Sequence, residues 1–198
     1  MPRQPAKIID PDGELLKRVA RGDDAAFRTL WERHYRLAYS VIYRHTGLQG
    51  AAEDLVQEAF LRVYRNAAKW QPTAKFSTWF YTIVSNLCLN YKRDRARDKL
   101  RLLGGANDEG ASLENIARAP VDESDADERQ HKAALIRAAL EELPANQRMA
   151  LILSKYESKS YEEIAAILKT TEAAVKSLAA RARATLRERL KRHFKELE

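Results

Sequence analysis

The chain has 198 residues, a formal charge of +7 at pH 7 and a single cysteine, Cys88. One cysteine excludes an internal disulfide framework and a zinc site built from cysteines, and the absence of an 18-residue apolar run or a signal-like N-terminus predicts a cytoplasmic protein with no membrane insertion. The basic surplus favours a nucleic-acid or otherwise acidic partner.

The first hundred residues show the 3.6-residue apolar periodicity of α-helices and no alternation typical of β-strands. Residues 1–9 are predicted to be a flexible N-terminus. Helices are predicted from Pro11 to a stop at Gly22, and then over roughly 24–46, 51–67 and 78–100, with Ser77 as the cap of the last. These helices predict a first domain over residues 10–102.

An acidic stretch separates this domain from the rest of the chain. Residues 104–128 contain eight acidic residues against one basic residue, Arg118, together with three glycines and Pro120. This composition predicts a flexible acidic linker over residues 103–126. A second helical domain is then predicted over residues 127–198, with helices near 127–142, 145–155, 160–168 and 172–193. The predicted fold class is therefore all-α, with two small helical domains joined by a linker.

The last two predicted helices form the most informative segment. Ser160 and Glu163 have the spacing of a capping box, and Thr171 is placed to cap the following helix. That helix has an apolar stripe on one face and basic residues on the other. A short helix, a tight turn and a longer basic helix are typical of a DNA-reading helix-turn-helix. An antiparallel helical hairpin with a solvated basic face is an equally good interpretation of this segment alone.

A second cluster combines aromatic and basic residues. Aromatic side chains are dense over residues 69–81, and a basic run follows over residues 90–101. Such a combination can stack unpaired bases and hold phosphates. Most of these aromatics have the spacing of a helix core, which favours the packing interpretation for them. Both interpretations stay open for the loop from Trp70 to Lys75.

Several motifs together resemble a known family. The segments 54–64 and 76–86 resemble region 2 of bacterial sigma factors, and the segments 143–148, 160–165 and 175–177 resemble region 4. No segment resembles region 3, as in the extracytoplasmic-function (ECF) class. The resemblance implies a transcription initiation factor that is not an enzyme and needs no cofactor. It also implies that the protein binds core RNA polymerase through the β′ clamp and the β flap, and that it reads promoter DNA as −35 duplex and single-stranded −10 element. Many ECF factors are held by an anti-sigma factor, so such a partner is a further implication.

The resemblance assigns roles to three groups of residues. Those that match the polymerase clamp-docking surface are Asp54, Leu55, Gln57, Glu58 and Phe60, of which Leu55 and Phe60 are equally good candidates for the core. Those that match the −10 reading and phosphate-holding positions are Trp70, Gln71, Thr73, Lys75, Asn86, Lys92, Arg93, Arg95 and Arg97. Those that match the −35 reading helix and its start are Thr171, Lys176, Ser177, Ala180, Arg181 and Arg183.

Two positions depart from the family pattern. Leu178 stands where a basic residue is frequent, so it either shifts the −35 preference or joins the core, and Ala174 stands where glycine is common.

Two other classes of protein stay open as alternatives to a sigma factor. A dimeric helix-turn-helix repressor would bind duplex DNA tightly without polymerase. An enzyme is disfavoured because the four histidines are far apart in sequence and no Gly-rich phosphate loop is present.

Overall fold

The computed structural model describes residues 10–103 and 123–194. Eight α-helices occur in these ranges, and the described residues contain no β-strand. The helices are α1 (Pro11–Val19), α2 (Asp24–Thr46), α3 (Gln49–Asn66), α4 (Phe76–Leu103), α5 (Glu123–Glu141), α6 (Ala145–Tyr156), α7 (Tyr161–Leu168) and α8 (Glu172–Phe194), with a short 3₁₀ helix over Ala67–Lys69. The all-α fold class predicted from the sequence is confirmed.

Local caps set both ends of α2. The Asp23 carboxylate accepts the Ala26 N–H at 2.9 Å, so α2 begins where predicted. Gly47 ends α2 in the left-handed conformation with a φ of 77°, which glycine adopts without steric cost. Helix α3 begins at Gln49, two residues before its predicted start, so Gly50 lies inside it.

The start of α4 differs from the prediction. This helix begins at Phe76, so Ser77 lies inside it and is not its cap. The Phe76 N–H instead donates to the carboxylate of Asp10, 66 residues earlier in the chain. A carboxylate at a helix N-terminus satisfies an N–H group that has no partner within the helix. Because the cap comes from the residue before α1, no local pattern could reveal it.

The first domain, residues 10–103, packs α1, α2, α3 and α4 around an apolar centre. Leu16, Leu30, Val56, Phe60 and Phe80 are at most 1% exposed in this centre. The Phe60 ring lies 4.4 Å from the Trp31 ring and 5.1 Å from the Phe80 ring, measured between centroids. Burying one side chain of this kind contributes about 1.5–3 kcal/mol to folding.

The second domain, residues 123–194, is built from α5 to α8. The buried residues Met149, Ile152, Ile164, Ile167 and Val175 belong to the same apolar cluster as the core of the first domain. The two domains are therefore in direct contact, with α2 against α5 and α6 and with α4 against α6 and α7.

The predicted flexible N-terminus and linker fall mainly outside the described residues. Residues 1–9, 104–122 and 195–198 are not described. Helix α5 begins at Glu123, which lies inside the predicted linker of residues 103–126. Over residues 10–103 and 123–194, no helix is both long and apolar enough to cross a membrane.

Candidate nucleic-acid and partner interfaces

The turn between α7 and α8 is fixed by hydrogen bonds that involve side chains at both helix starts. The Ser160 hydroxyl accepts the Glu163 N–H at 3.1 Å, while the Glu163 carboxylate accepts the Ser160 N–H at 2.9 Å. This confirms the predicted capping box. Lys169 ends α7 with a φ of 52°, and the Thr171 hydroxyl accepts the Ala174 N–H at 3.2 Å at the start of α8. The local sequence thus sets where α7 begins and ends and where α8 begins.

Helix α8 has one buried face and one exposed face. Val175, Ala179 and Ala182 are fully buried, and Leu178 packs against the apolar cluster. Leu178 therefore joins the core, one of the two outcomes that the sequence left open. Five of the six predicted −35 residues are exposed: Thr171 just before α8, and Lys176, Ser177, Ala180 and Arg181 on it.

The sixth predicted −35 residue, Arg183, has a different environment. It is half-buried, and its guanidinium donates a hydrogen bond to the Tyr161 hydroxyl at 3.2 Å. This contact joins α8 to the first residue of α7. Arg183 is therefore held within the helix-turn-helix, whereas Lys176 and Arg181 lie on its exposed outer face.

The predicted clamp-docking residues on α3 divide into exposed and buried groups. Asp54 and Gln57 are exposed, and Leu55 and Glu58 are half-buried. Glu58 accepts a hydrogen bond from Arg62 at 2.7 Å. Phe60 is 1% exposed, so its ring cannot contact a partner and belongs to the core.

Two exposed apolar residues on α3 were missing from the prediction. Leu61 is 48% exposed and Tyr64 is 47% exposed. They follow Asp54 and Gln57 at spacings of three, four and three residues, which places all four on one helix face. That spacing could have revealed them from the sequence. The exposed face of α3 thus combines acidic, amide and apolar groups.

The loop between α3 and α4 begins with an anchored tryptophan. Trp70 is half-buried and packs against the apolar cluster. A Cβ atom added to Gly13 would lie 2.7 Å from Trp70 Cη2, so the ring lies directly on α1. The predicted contact of Trp70 with a base stays a prediction. The three other predicted residues of this loop, Gln71, Thr73 and Lys75, are exposed.

The second half of α4 carries the predicted phosphate-holding residues. Asn86, Arg93, Arg95 and Arg97 are exposed. Arg93 and Arg97 lie 3.8 and 3.6 Å from the Asp94 carboxylate, distances at which exposed ion pairs are weak. These arginines are therefore available to bind an anion.

Lys92 differs from its neighbours because it is half-buried. Burial, followed by the positive charge of Arg148, lowers its pKa from 10.5 to about 8. Arg148 belongs to the second domain, so the surroundings of Lys92 depend on the contact between the domains.

Two family models match the chain. The Sigma-70 region 2 model matches residues 30–98, and the Sigma-70 region 4 model matches residues 133–186. A relative from Mycolicibacterium smegmatis, the ECF RNA polymerase sigma factor SigE, is 35% identical over 183 residues, which cover 89% of this chain and 67% of that protein. The chain is an ECF sigma factor.

A second relative is covered over nearly its whole length. The ECF RNA polymerase sigma-E factor of Escherichia coli strain K12 is 32% identical over 177 residues, which cover 87% of this sigma factor and 90% of the relative. Family membership means that the protein directs promoter-specific initiation by RNA polymerase and is not itself an enzyme. It also decides against the hairpin, repressor and enzyme interpretations.

Two solved structures are similar to this sigma factor. The sigma factor RpoE of Bartonella quintana, solved with the anti-sigma factor NepR, has a TM-score of 0.63 and 25% identity, and the match covers 83% of this chain and 96% of RpoE. CnrH, solved with the cytosolic domain of CnrY, has a TM-score of 0.67 and 22% identity, with coverage of 92% and 98%. The second likeness supports the fold alone.

Proposed function

We propose that this sigma factor binds polymerase, the −10 strand and the −35 duplex through three separate surfaces. The exposed face of α3 binds the polymerase clamp. The loop of residues 71–75 and the exposed part of α4 read and hold the −10 strand, and the outer face of α8 reads the −35 duplex. The observation that carries the proposal is the placement of Lys176 and Arg181 on the solvent face of a helix whose opposite face is buried.

The outer face of α8 has the chemistry needed for base readout. Lysine and arginine donate hydrogen bonds to guanine O6 and N7 in the major groove, and an α-helix fits that groove. Ser177 can add a hydroxyl contact, and Ala180 leaves room for close approach. Arg183, tied to Tyr161 at 3.2 Å, has a positioning role in this proposal and holds α8 at its angle to α7.

The −10 surface combines an exposed loop with a basic helix. Asn86, Arg93 and Arg97 are at spacings of seven and four residues on α4, so they lie along one face. Arginines at these positions can neutralise successive phosphates, and the loop residues Gln71, Thr73 and Lys75 offer polar groups to an unpaired base. Trp70 sets the position of this loop from the α1 side.

The α3 surface suits a basic partner with some apolar character. Asp54 and Glu58 supply negative charge, and Leu61 and Tyr64 supply exposed apolar area. Apolar groups at the centre of an interface carry much of the binding energy, whereas charges at the edge steer the approach. We assign this face to the β′ clamp, and we place the protein in the cytoplasm, where polymerase and DNA are found. The second domain would contact the β flap.

An experiment separates docking from general charge effects. Asp54→Lys with Glu58→Lys should abolish binding to core polymerase, measured by fluorescence anisotropy, and also transcription. A control double variant reverses two exposed acids elsewhere on the surface, Glu32→Lys and Glu162→Lys, and should retain both activities. Unchanged polymerase affinity in the first double variant would remove the docking assignment, provided that circular dichroism shows both variants folded.

We also propose that an anti-sigma factor binds this protein. The support is the similar RpoE structure, which was solved with the anti-sigma factor NepR. Gentle purification of the protein from its own cells should yield a stoichiometric complex that is inactive in transcription until the partner is removed. An isolated, fully active monomer under all growth conditions would contradict this proposal.

A further inference from the structure

The first turn of α1 contacts both ends of the loop of residues 71–75. At the start of the loop, the Trp70 ring lies on α1, where a Cβ atom added to Gly13 would be 2.7 Å from Trp70 Cη2. At the end of the loop, the carboxylate of Asp10, immediately before α1, accepts the N–H of Phe76, the first residue of α4. The position of the loop therefore depends on where the first turn of α1 lies.

Asp12 fixes this first turn to α2. One of its carboxylate oxygens accepts a hydrogen bond from the Arg33 guanidinium at 2.6 Å, and the other lies 2.8 Å from His34 Nε2. Arg33 and His34 are consecutive residues of α2, so one carboxylate bridges two side chains. The Asp12 side chain is 21% exposed and the His34 side chain is 10% exposed. Water and salt therefore screen this pair less than they screen a pair on the open surface.

His34 extends the contact from Asp12 to the start of α4. Its buried ring lies 5.0 Å from the Phe76 ring and 5.7 Å from the Phe80 ring, measured between centroids. The Nδ1 atom of His34 has no hydrogen-bond partner among the described residues. Loss of Asp12 would leave this buried imidazole without a partner in that part of the chain, which is energetically costly. The ring would then shift towards water, and Phe76, which packs against it, would lose its present position.

These contacts hold the loop in one arrangement before any DNA binds. Fixing a flexible backbone costs conformational entropy, and a loop whose ends are already fixed has lost part of that entropy on folding rather than on binding. The exposed side chains of Gln71, Thr73 and Lys75 are then presented from a fixed base. Helix α1 lies outside the segment that the region 2 model matches, residues 30–98, so this support comes from outside the matched segment.

We propose that the first turn of α1 is a brace for −10 recognition, and that Asp12 and His34 are positioning residues that keep the loop of residues 71–75 ready to capture an unpaired base. Neither residue touches the DNA. The inference rests on the proposed function, which assigns this loop to the −10 strand. Loosening the brace should weaken capture of the strand without changing which bases are preferred. Polymerase docking through α3 should remain intact.

The test compares two affinities of the full-length protein. Fluorescence anisotropy of the dye-labelled sigma factor gives its affinity for core polymerase. With polymerase saturating, a labelled single-stranded oligonucleotide gives the affinity for the −10 strand, and it carries the downstream motif that wild type selects from a randomised promoter library. Asp12→Ala should weaken strand binding about tenfold, the factor that ordering the backbone of about one residue costs, at unchanged polymerase affinity. Simple destabilisation of the domain would lower both affinities together.

Three further variants separate positioning from folding. Asp12→Asn keeps an oxygen for Arg33 and an amide for His34, so it should recover most of the strand affinity. Arg33→Ala removes the outer half of the contact and should give a smaller loss in the same direction. Because the Arg33 side chain is 51% exposed, this variant should fold even where Asp12→Ala does not. Lys17→Ala, which breaks an exposed ion pair with Glu14 inside α1, is the matched control and should match wild type.

The order of the loop can also be measured without DNA. Amide hydrogen exchange, followed by mass spectrometry of the free protein, reports local opening of each segment. Peptides that cover residues 71–75 should exchange several-fold faster in Asp12→Ala than in wild type or Lys17→Ala. Peptides from α3 should exchange at the same rate in all three proteins.

Several results would overturn the brace. Strand affinity and loop exchange equal to wild type in the folded Asp12→Ala or Arg33→Ala variants would do so, as would a parallel loss of polymerase affinity or no recovery in Asp12→Asn. Failure of the proposed function has a different pattern. Gln71→Ala with Thr73→Ala would then leave strand binding unchanged, which would remove the −10 assignment of the loop and the role of the brace with it. Failure of the brace alone leaves the effect of that loop variant in place.

Discussion

The carboxylate of Asp10 accepts a hydrogen bond from the Phe76 N–H, and so the residue before α1 caps α4. This contact fixes one end of the loop of residues 71–75 (the −10 loop, named for its proposed role), and Trp70 fixes the other end. The loop is thereby held at both ends by the first helix and the residue before it, through the Trp70 ring at its start and the Asp10 carboxylate at its finish.

Loss of this cap should destabilise the first domain. Asp10→Ala removes the acceptor and should lower the free energy of unfolding by about 1 kcal/mol, the usual cost of a lost N-cap. Urea unfolding followed by circular dichroism measures this change. Asp10→Asn keeps a side-chain oxygen and should recover most of the stability. Equal stability of the alanine variant and wild type would show that the contact is not maintained in solution.

Replacing Gly13 or Gly50 by alanine should change the stability of the protein in opposite directions. A Cβ atom at Gly13 would lie 2.7 Å from Trp70 Cη2 and 3.0 Å from the Asp10 carboxylate, so Gly13→Ala should destabilise the domain and disturb the −10 loop. Gly50 lies inside α3, and a Cβ atom added there would extend into open space. Gly50→Ala should therefore stabilise the protein by about 0.5–1 kcal/mol. Thermal unfolding of both variants checks the contrast, which two changes of the same sign would contradict.

Alanine substitutions of the basic residues of α8 should affect −35 binding in two different ways, because some of these residues read bases and one positions the helix. Lys176→Ala and Arg181→Ala should each cost about 1–3 kcal/mol in −35 binding on polymerase and relax the preference at one base pair. Arg183→Ala should instead weaken binding to all sequences alike, because it releases α8 from Tyr161. Competition assays over single-base variants of the −35 element distinguish the two patterns. Normal transcription with unchanged preference in the first two variants would refute the assignment of α8.

The contact between the two domains should become less stable as the pH falls from 7.5. Burial, followed by the charge of Arg148, lowers the pKa of His45 from 6.5 to about 3, so the packed domains hold this side chain neutral. If separation of the domains exposes the ring, its pKa returns towards 6.5. The contribution of His45 to the contact is then fully present above pH 6.5 and falls by about 1.4 kcal/mol per pH unit below it, down to about pH 3.

Charged groups on the other elements at the contact between the domains affect the same equilibrium. Lys92 on α4 and Arg148 on α6 disfavour a protonated His45, whereas Glu141 on α5 raises the pKa of both basic groups. Energy transfer between dyes on cysteines introduced at the exposed positions Glu32 and Glu162 should fall from pH 7.5 to pH 5.5 in wild type, with helicity unchanged. His45→Gln keeps an N–H donor without the titration and should flatten the profile. An identical profile in the glutamine variant would exclude His45 as the titrating group.

Local sequence signals predicted the helix-turn-helix well. Ser160, Glu163 and Thr171 act on backbone groups within three residues, so their spacing alone determined where α7 and α8 begin. Asp23 does the same for α2. The motif pattern also led to the correct family, because region 2 and region 4 each contain such local signatures.

Features that depend on contacts between residues far apart in the chain could not be predicted from the sequence pattern. Whether Phe60 lies in the core or on the surface depends on Trp31 and Phe80, which approach it from other helices. The bond between Arg148 and His45 joins residues 103 positions apart and has no periodic signal. Helical spacing identifies the face of a residue but not the element that covers that face.

The most direct test of the account is transcription by core polymerase on a promoter library randomised at both elements. With the wild-type sigma factor, active templates should share one upstream and one downstream motif. Lys176→Ala with Arg181→Ala should change only the upstream motif, and exchange of loop residues 71–75 with those of another ECF factor should change only the downstream motif. Joint changes in both motifs, or no change in either, would contradict the assignment of separate reading surfaces to the two domains.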